Sequence, residues 1–247
     1  EALALADDET RADVLNNLGL ANYEAGQLDD AQAVFTEARA LYRFRADQAR
    51  EASALHNLGS IAWTRGRLAE AEECFLSALA IYQELGLRHE LAETLNSLGL
   101  VQEAFGDWEE AAKAYYEALS ILQSDGDEYG QAQTLANLGN VLTLLEDYPN
   151  ATACLENGLT IARALGLASL EGQLLTGLAD VLQAQERTAE ALVAFQQSLQ
   201  RKEAGGDSRS LKHTWLSLGA LHHRLRQLPE AESAYQKALV AARAQND

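Results

Sequence analysis

The 247-residue chain carries 37 acidic and 19 basic side chains, a formal charge of −18, and 47% of it is apolar. That apolar share is too high for a disordered acidic tail, and no apolar run approaches the roughly 20 residues of a membrane helix. Two cysteines make no disulfide framework, and an acidic surface repels nucleic acid and anionic lipid. With no secretory leader and no methionine, the chain reads as a cytoplasmic protein that is processed or cut from a longer one.

A 40-residue period organises everything else. LNNLG ends at Gly19, LHNLG at Gly59, LNSLG at Gly99 and LANLG at Gly139, followed by weaker copies ending at Ala179 and Gly219. Ala31, Ala71, Ala111, Ala151, Ala191 and Ala231 share a second register. Four residues later come Phe35, Phe75, Tyr115, Leu155, Phe195 and Tyr235, then Ala38, Ala78, Ala118, Gly158, Ser198 and Ala238. A period of this length marks stacked structural modules.

In chain order, residues 1–11 read as the tail of a preceding repeat (Glu1 to Asp8) and the start of the first copy. Six copies follow: 12–51, 52–91, 92–131, 132–171, 172–211 and 212–247. Each copy is predicted to hold two helices. In the first, Leu15, Leu18 and Gly19 fall on one buried stripe. Gly26, Gly66 and Gly106 punctuate, and an acidic turn opens the second helix (Asp29, Asp30, Glu70, Glu109, Glu110, Glu190, Glu230), complementing its dipole. Pro149 and Pro229 share a first-turn register. Arg43, Arg45, Arg163, Arg201, Lys202 and Arg243 gather at the other end, before the stops at Gly86, Gly126, Gly166 and Gly206. Small residues let the helices approach within roughly 8 Å while an aromatic fills the space beside them. The fifth copy departs: it lacks the glycine at Ala179 and carries Gly177 and Glu186 at odd registers. An array without polar caps is expected to continue in a longer chain or to self-associate through its open ends.

The pattern resembles the tetratricopeptide repeat. Its 40-residue period and L-x-N-L-G start are similar to the long-repeat subclass of kinesin light chains, Pins-type adaptors and MalT-type sensor domains. The proline that ends the ordinary 34-residue repeat is absent, so the extra residues lengthen the helices. The resemblance implies an all-α fold, a right-handed α-solenoid of about six stacked repeats, whose first helices line a concave groove that holds an extended peptide. It further implies that asparagines of one register grip that peptide's backbone.

Helical spacing selects the residues facing that groove. Asn17, Asn57 and Asn137 share a register, with Ser97 and Ser217 standing in. Asparagine is a mediocre helix former, and its amide offers two donors and an acceptor to a peptide group. Asn16, Tyr23, Glu24, His56, Trp63, Asn96, Glu103 and Asn140 complete the candidate binding set. Tyr23 and Trp63 read equally as ligand anchors and as packing residues. Across five copies the inward positions contain five acids (Asp13, Glu24, Glu93, Glu103, Asp180) and no lysine or arginine. A neutral-to-basic segment suits such a groove, whereas a clamp for carboxylates does not. Residues 1–200 carry a net −21 and residues 201–247 a net +3.

Catalysis finds no constellation. His213, His222 and His223 share a helix without ligands at metal spacing, and they read as solvated polar residues. Cys74 and Cys154 sit two copies apart as small buried side chains. The segment around Asp125, Asp127 and Glu128 lacks calcium-loop spacing and reads as a linker. No cofactor is expected. The expected function is a non-enzymatic interaction scaffold. The alternative is the sensor or effector segment of a larger bacterial signalling or transcription regulator, binding a small effector or an inhibitory partner, consistent with 15 arginines against 4 lysines.

Overall fold

A computed structural model describes residues 8–205 and 208–243, with side chains over 10–205 and 210–243. Twelve α-helices and no strand occur among the described residues. They come in pairs: α1 (Asp8–Glu24) with α2 (Leu28–Phe44), α3 (Gln48–Thr64) with α4 (Leu68–Leu85), and α5 (Arg88–Phe105) with α6 (Trp108–Asp125). The remaining pairs are α7 (Glu128–Leu144) with α8 (Tyr148–Ala164), α9 (Ala168–Ala184) with α10 (Thr188–Ala204), and α11 (Ser208–Arg224) with α12 (Leu228–Arg243). Asp8 already starts α1, and the rest of the expected leading tail lies outside the described residues, as does Gly206.

The turns explain where the helices stop. Gly26, Gly66 and Gly106 take φ of 74°, 70° and 84°, and Glu146, Glu186 and Arg226 hold the same register at 60–61°. Glu186 is therefore not at an odd register: it occupies the turn that follows every first helix. A left-handed residue with a side chain costs more than glycine, yet the turn survives because both flanking helices constrain it. Aspartates cap three of the described helix starts. Asp47 accepts from the Arg50 backbone N–H, and Asp127 from that of Gly130. Asp147 does the same for Asn150, one residue beyond a first-turn Pro149.

Two compact units divide the chain, residues 1–121 and 122–247. Within each, a pair closes by pressing the second helix's aromatic onto the first helix's glycine. A Cβ on Gly19 would lie 2.6 Å from Phe35, one on Gly59 2.7 Å from Phe75, and one on Gly99 2.6 Å from Tyr115. In the second unit Leu155 and Tyr235 meet Gly139 and Gly219 the same way. Within each unit, a second helix then packs against the first helix of the next pair. Ala12 and Leu15 of α1, Ala38 and Tyr42 of α2, and Ala54 of α3 form one such core. In the second unit Ala179, Phe195, Leu199, Leu218 and Leu221 form another across α9, α10 and α11.

Two expectations need correction. Leu18 is 39% exposed, whereas Leu98 and Leu138 in its register are buried, because α1 has no described pair on its outer side. Cys74 and Cys154 are half-buried rather than buried, and both are free thiols. Burial pushes both thiols above their ordinary range.

The glycine–aromatic contact gives a direct test. Gly59→Ala should destabilise the protein by about 1–3 kcal/mol through overpacking against Phe75, outweighing the gain of about 1 kcal/mol in helix propensity. Urea unfolding should show the loss, and Phe75→Leu in the same chain should recover part of it.

Candidate binding faces of the two units

Within each unit, first helices of successive pairs lie side by side and are joined by polar links. In the first unit Tyr23 on α1 hydrogen-bonds Thr64 on α3 (3.0 Å), and His56 Nδ1 on α3 pairs with Thr94 Oγ1 on α5 (2.9 Å). In the second, Thr176 on α9 bonds Thr214 on α11 (3.0 Å), and His213 lies 3.6 Å from Asp180. His213 is thus not merely a solvated residue, although it keeps most of its exposure. His222 Nδ1 meets Gln227 Oε1 at 2.6 Å.

The candidate residues fall on these faces with different degrees of freedom. Asn17 is exposed, and Asn57 and Asn137 are half-buried. Among the described residues, no neighbouring group engages any of the three amides. Asn16 is half-buried beside Asn17, and its Oδ1 is buried without a donor, an arrangement folded proteins rarely leave standing. Glu24 is exposed, Trp63 and Asn96 are half-buried, and Ser97 Oγ donates back to the Glu93 carbonyl at 3.1 Å. Tyr23 packs against the cluster of Ala31, Phe35 and Ile61, so part of its ring serves the core. Glu103 accepts the Tyr115 hydroxyl. Burial raises the carboxyl's pKa, partly offset by that bond, and burial beside Glu103 also pushes the Tyr115 phenol up.

A recess of about 220 Å³ opens in the first unit between Asp13, Asn16, Asn17, Tyr42, Arg50 and Ser53. Tyr42 donates to the Ala12 carbonyl (3.1 Å) and to Asp13 (3.0 Å). Burial, then Asp13, pushes its phenol to about 12. Arg50 pairs with Asp13 at 3.2 Å and lies 5.9 Å over the Tyr42 ring.

A larger recess of about 510 Å³ opens in the second unit. Asn140, Thr143 and Leu144 of α7 form one wall, Gln173, Thr176, Gly177 and Asp180 of α9 the floor, and Ser210 and His213 of α11 the other wall. Lys202 enters it from α10, a second helix, with only 2% of its surface exposed. Its ammonium donates to Thr176 Oγ1 (3.0 Å), the Ser210 carbonyl (3.2 Å) and Thr214 Oγ1 (2.7 Å).

Arg50 and Lys202 correct the charge reading. The inward register holds no cation in five copies, but neighbouring registers deliver one to each recess. Spacing along a single helix misses Lys202 because the residue belongs to the other helix of its pair. Arg163 and Arg201 stand in the last turns of their helices, as read from the sequence, and also hold the buried Glu171 carboxylate at 2.9 and 3.2 Å. A carboxylate taken from water needs such partners.

His56 yields a pH test. Burial beside Phe75 (ring centroids 5.3 Å apart) lowers its pKa from 6.5 to about 4. The unfolded chain therefore takes up the proton first as pH falls, and stability drops between pH 6.5 and 4 by up to about 3 kcal/mol. Urea midpoints should show His56→Gln losing less over that window than the parent chain.

Similarity to known proteins follows the geometry. Tetratricopeptide repeat models match residues 11–43, 50–124, 130–204 and 170–244. No curated protein matches at a significant level. Among solved structures, the apo form of RapI superposes with a TM-score of 0.80 at 17% identity, covering 97% of this chain and 85% of that one. The Rap conjugation gene regulator of plasmid pLS20, solved with the Phr* peptide, gives 0.74 at 21% identity, covering 97% and 64%. A signal transduction ATPase from Pyrococcus horikoshii with a tetratricopeptide repeat sensor gives 0.76 at 15% identity, covering 95% and 37%. With repeat matches running over most of its length and twelve paired helices of the same architecture, this chain belongs to the tetratricopeptide repeat family.

Proposed function

We propose that the protein is a non-catalytic, cytoplasmic interaction module whose first-helix faces bind an extended, neutral-to-basic segment of another protein. The observation that carries this reading is the unengaged amide register: Asn17, exposed, and Asn57, half-buried, in the first unit and Asn137, half-buried, in the second have donors and acceptors to spare. A backbone peptide group supplies the matching acceptor and donor, and the orphaned Asn16 Oδ1 beside Asn17 asks for one more N–H. Asn96, Ser97 and Asn140 extend the same polar lining, His56, Tyr23 and Trp63 add ring surface, and Glu24 and Glu103 favour cationic side chains. The peptide seen with the pLS20 Rap regulator sits on a chain of the same fold. A second reading, the sensor segment of a larger signalling regulator, draws on the tetratricopeptide repeat sensor of the Pyrococcus ATPase. Tyr235, Leu239 and Val240 on α12 are 40–67% exposed, which suits self-association or a further packed element at that end.

A peptide array of extended neutral and basic sequences tests the reading. Asn57→Ala or Asn137→Ala should weaken a selected peptide about fivefold for each hydrogen bond lost, and binding of basic peptides should weaken as salt rises. A selected peptide that bound both variants as tightly as the parent chain would remove the amide register from the site.

A further inference from the structure

We propose that the recess around Lys202 in the second unit is a binding site for a small zwitterion of the α-amino-acid class. Where Lys202 stands, the other described copies hold Tyr42, Tyr82, Leu122, Ala162 and Ala242, and where Ser198 stands they hold only alanine or glycine. The register of Gly172 holds Ala12, Ala52, Ala92 and Ala132 in the first four copies. The fifth copy thus replaces a packed apolar set by a lysine, a serine and a glycine; Lys202 lines the cavity, and Ser198 and Gly172 pack behind it.

Each departure has a geometric consequence. A Cβ on Gly172 would lie 2.5 Å from Lys202 Cγ and 3.1 Å from the Ser198 carbonyl. Glycine there lets the lysine stem cross α9 and deliver its ammonium to the cavity floor. A Cβ on Gly177 would lie 2.6 Å from Asn140 Oδ1, so glycine also admits that amide. Thr176 and Ser198 share a hydrogen bond of 2.7 Å, and Ser198 donates to the Gly172 carbonyl at 2.6 Å. These contacts, with Thr214, hold the ammonium in one place.

The cavity's chemistry selects its occupant. One fixed cation, Lys202, and one carboxylate, Asp180, line the same space of about 510 Å³, a size suited to a small molecule. A single ammonium beside an acid matches a monoanionic carboxylate better than a phosphate dianion, which Asp180 would repel. The ligand carboxylate would take the place of the Ser210 carbonyl, which accepts from Nζ at 3.2 Å, and a charge-assisted bond is the stronger exchange. The ligand ammonium would face Asp180, while Leu144 and the Thr143 methyl offer an apolar wall to its side chain. This site goes beyond the peptide-face reading and stands without it.

Titration of the full chain with each of the twenty standard L-amino acids, followed by NMR at the Gly177 amide and the Thr176 and Thr214 methyls, tests the proposal. At least one should saturate these signals at millimolar concentration, with its amide and its des-amino acid binding at least tenfold more weakly. Lys202→Met should abolish the preference for the free acid over the amide. Should that variant not fold, Asp180→Asn provides the second test: it should weaken the amino acid and spare or strengthen the des-amino acid. The proposal fails if no amino acid moves these signals, if amide and acid bind alike, or if inorganic phosphate binds as well. It fails equally if only peptides occupy the recess, a result that would leave the peptide-face reading intact.

Discussion

Five of the six helix pairs depend on one contact: a hydrogen where a side chain would otherwise stand. Glycine on the first helix of a pair lets the aromatic or leucine of the second lie flat against its backbone, at distances that leave no room for a Cβ. Core density leaves little slack for an added methyl. Because the same pair of residues recurs every 40 positions, one local solution is repeated, and each pair offers its neighbour the same surface. Phe35, Phe75, Tyr115, Leu155 and Phe195 are at most 2% exposed, yet Tyr235 in the same register is 40% exposed. Within a unit, burial of that register therefore comes from the following pair as well as from its own, as nearest-neighbour stability requires.

Repetition leaves freedom at the faces that packing does not use. On the first helices, the positions turned away from the glycine stripe carry amides, hydroxyls and rings, some of them spent on joining adjacent helices. Tyr23 with Thr64 and His56 with Thr94 are of this kind. The amides of Asn17, Asn57 and Asn137 are not. A face mixing fixed links with unspent donors is stiff and still able to bind, since little ordering remains to be done when a partner arrives.

The second unit shows how one copy can diverge without breaking the array. Ala179 replaces the glycine of the fifth pair, and both it and Phe195 are fully buried. The backbone keeps two 17-residue helices and the usual turn at Glu186. Polar residues then enter the space that tyrosine or alanine fills elsewhere, every one of them hydrogen-bonded, which is the condition for burying them at all. Glu171 with Arg163 and Arg201 follows the same rule on the neighbouring turn of α9.

Sequence alone determined the period, the helix pairing, the small-residue seam and the turns, because each is a one-dimensional pattern fixed by local geometry. It also picked out the asparagine register, since a poor helix former repeated at one position stands out against its surroundings. What it missed lies between helices. Lys202 and Arg50 reach the two recesses from registers that single-helix spacing assigns elsewhere, and Leu18 is exposed despite sharing a stripe with buried leucines. Gly172 passes unnoticed in a string of letters and Gly177 shows only as a departure from the repeat; both become meaningful once a lysine stem and an asparagine amide are found beside them. Proximity across helices is set by how side chains from two or three elements share one volume, and that quantity is written in no single stretch of chain.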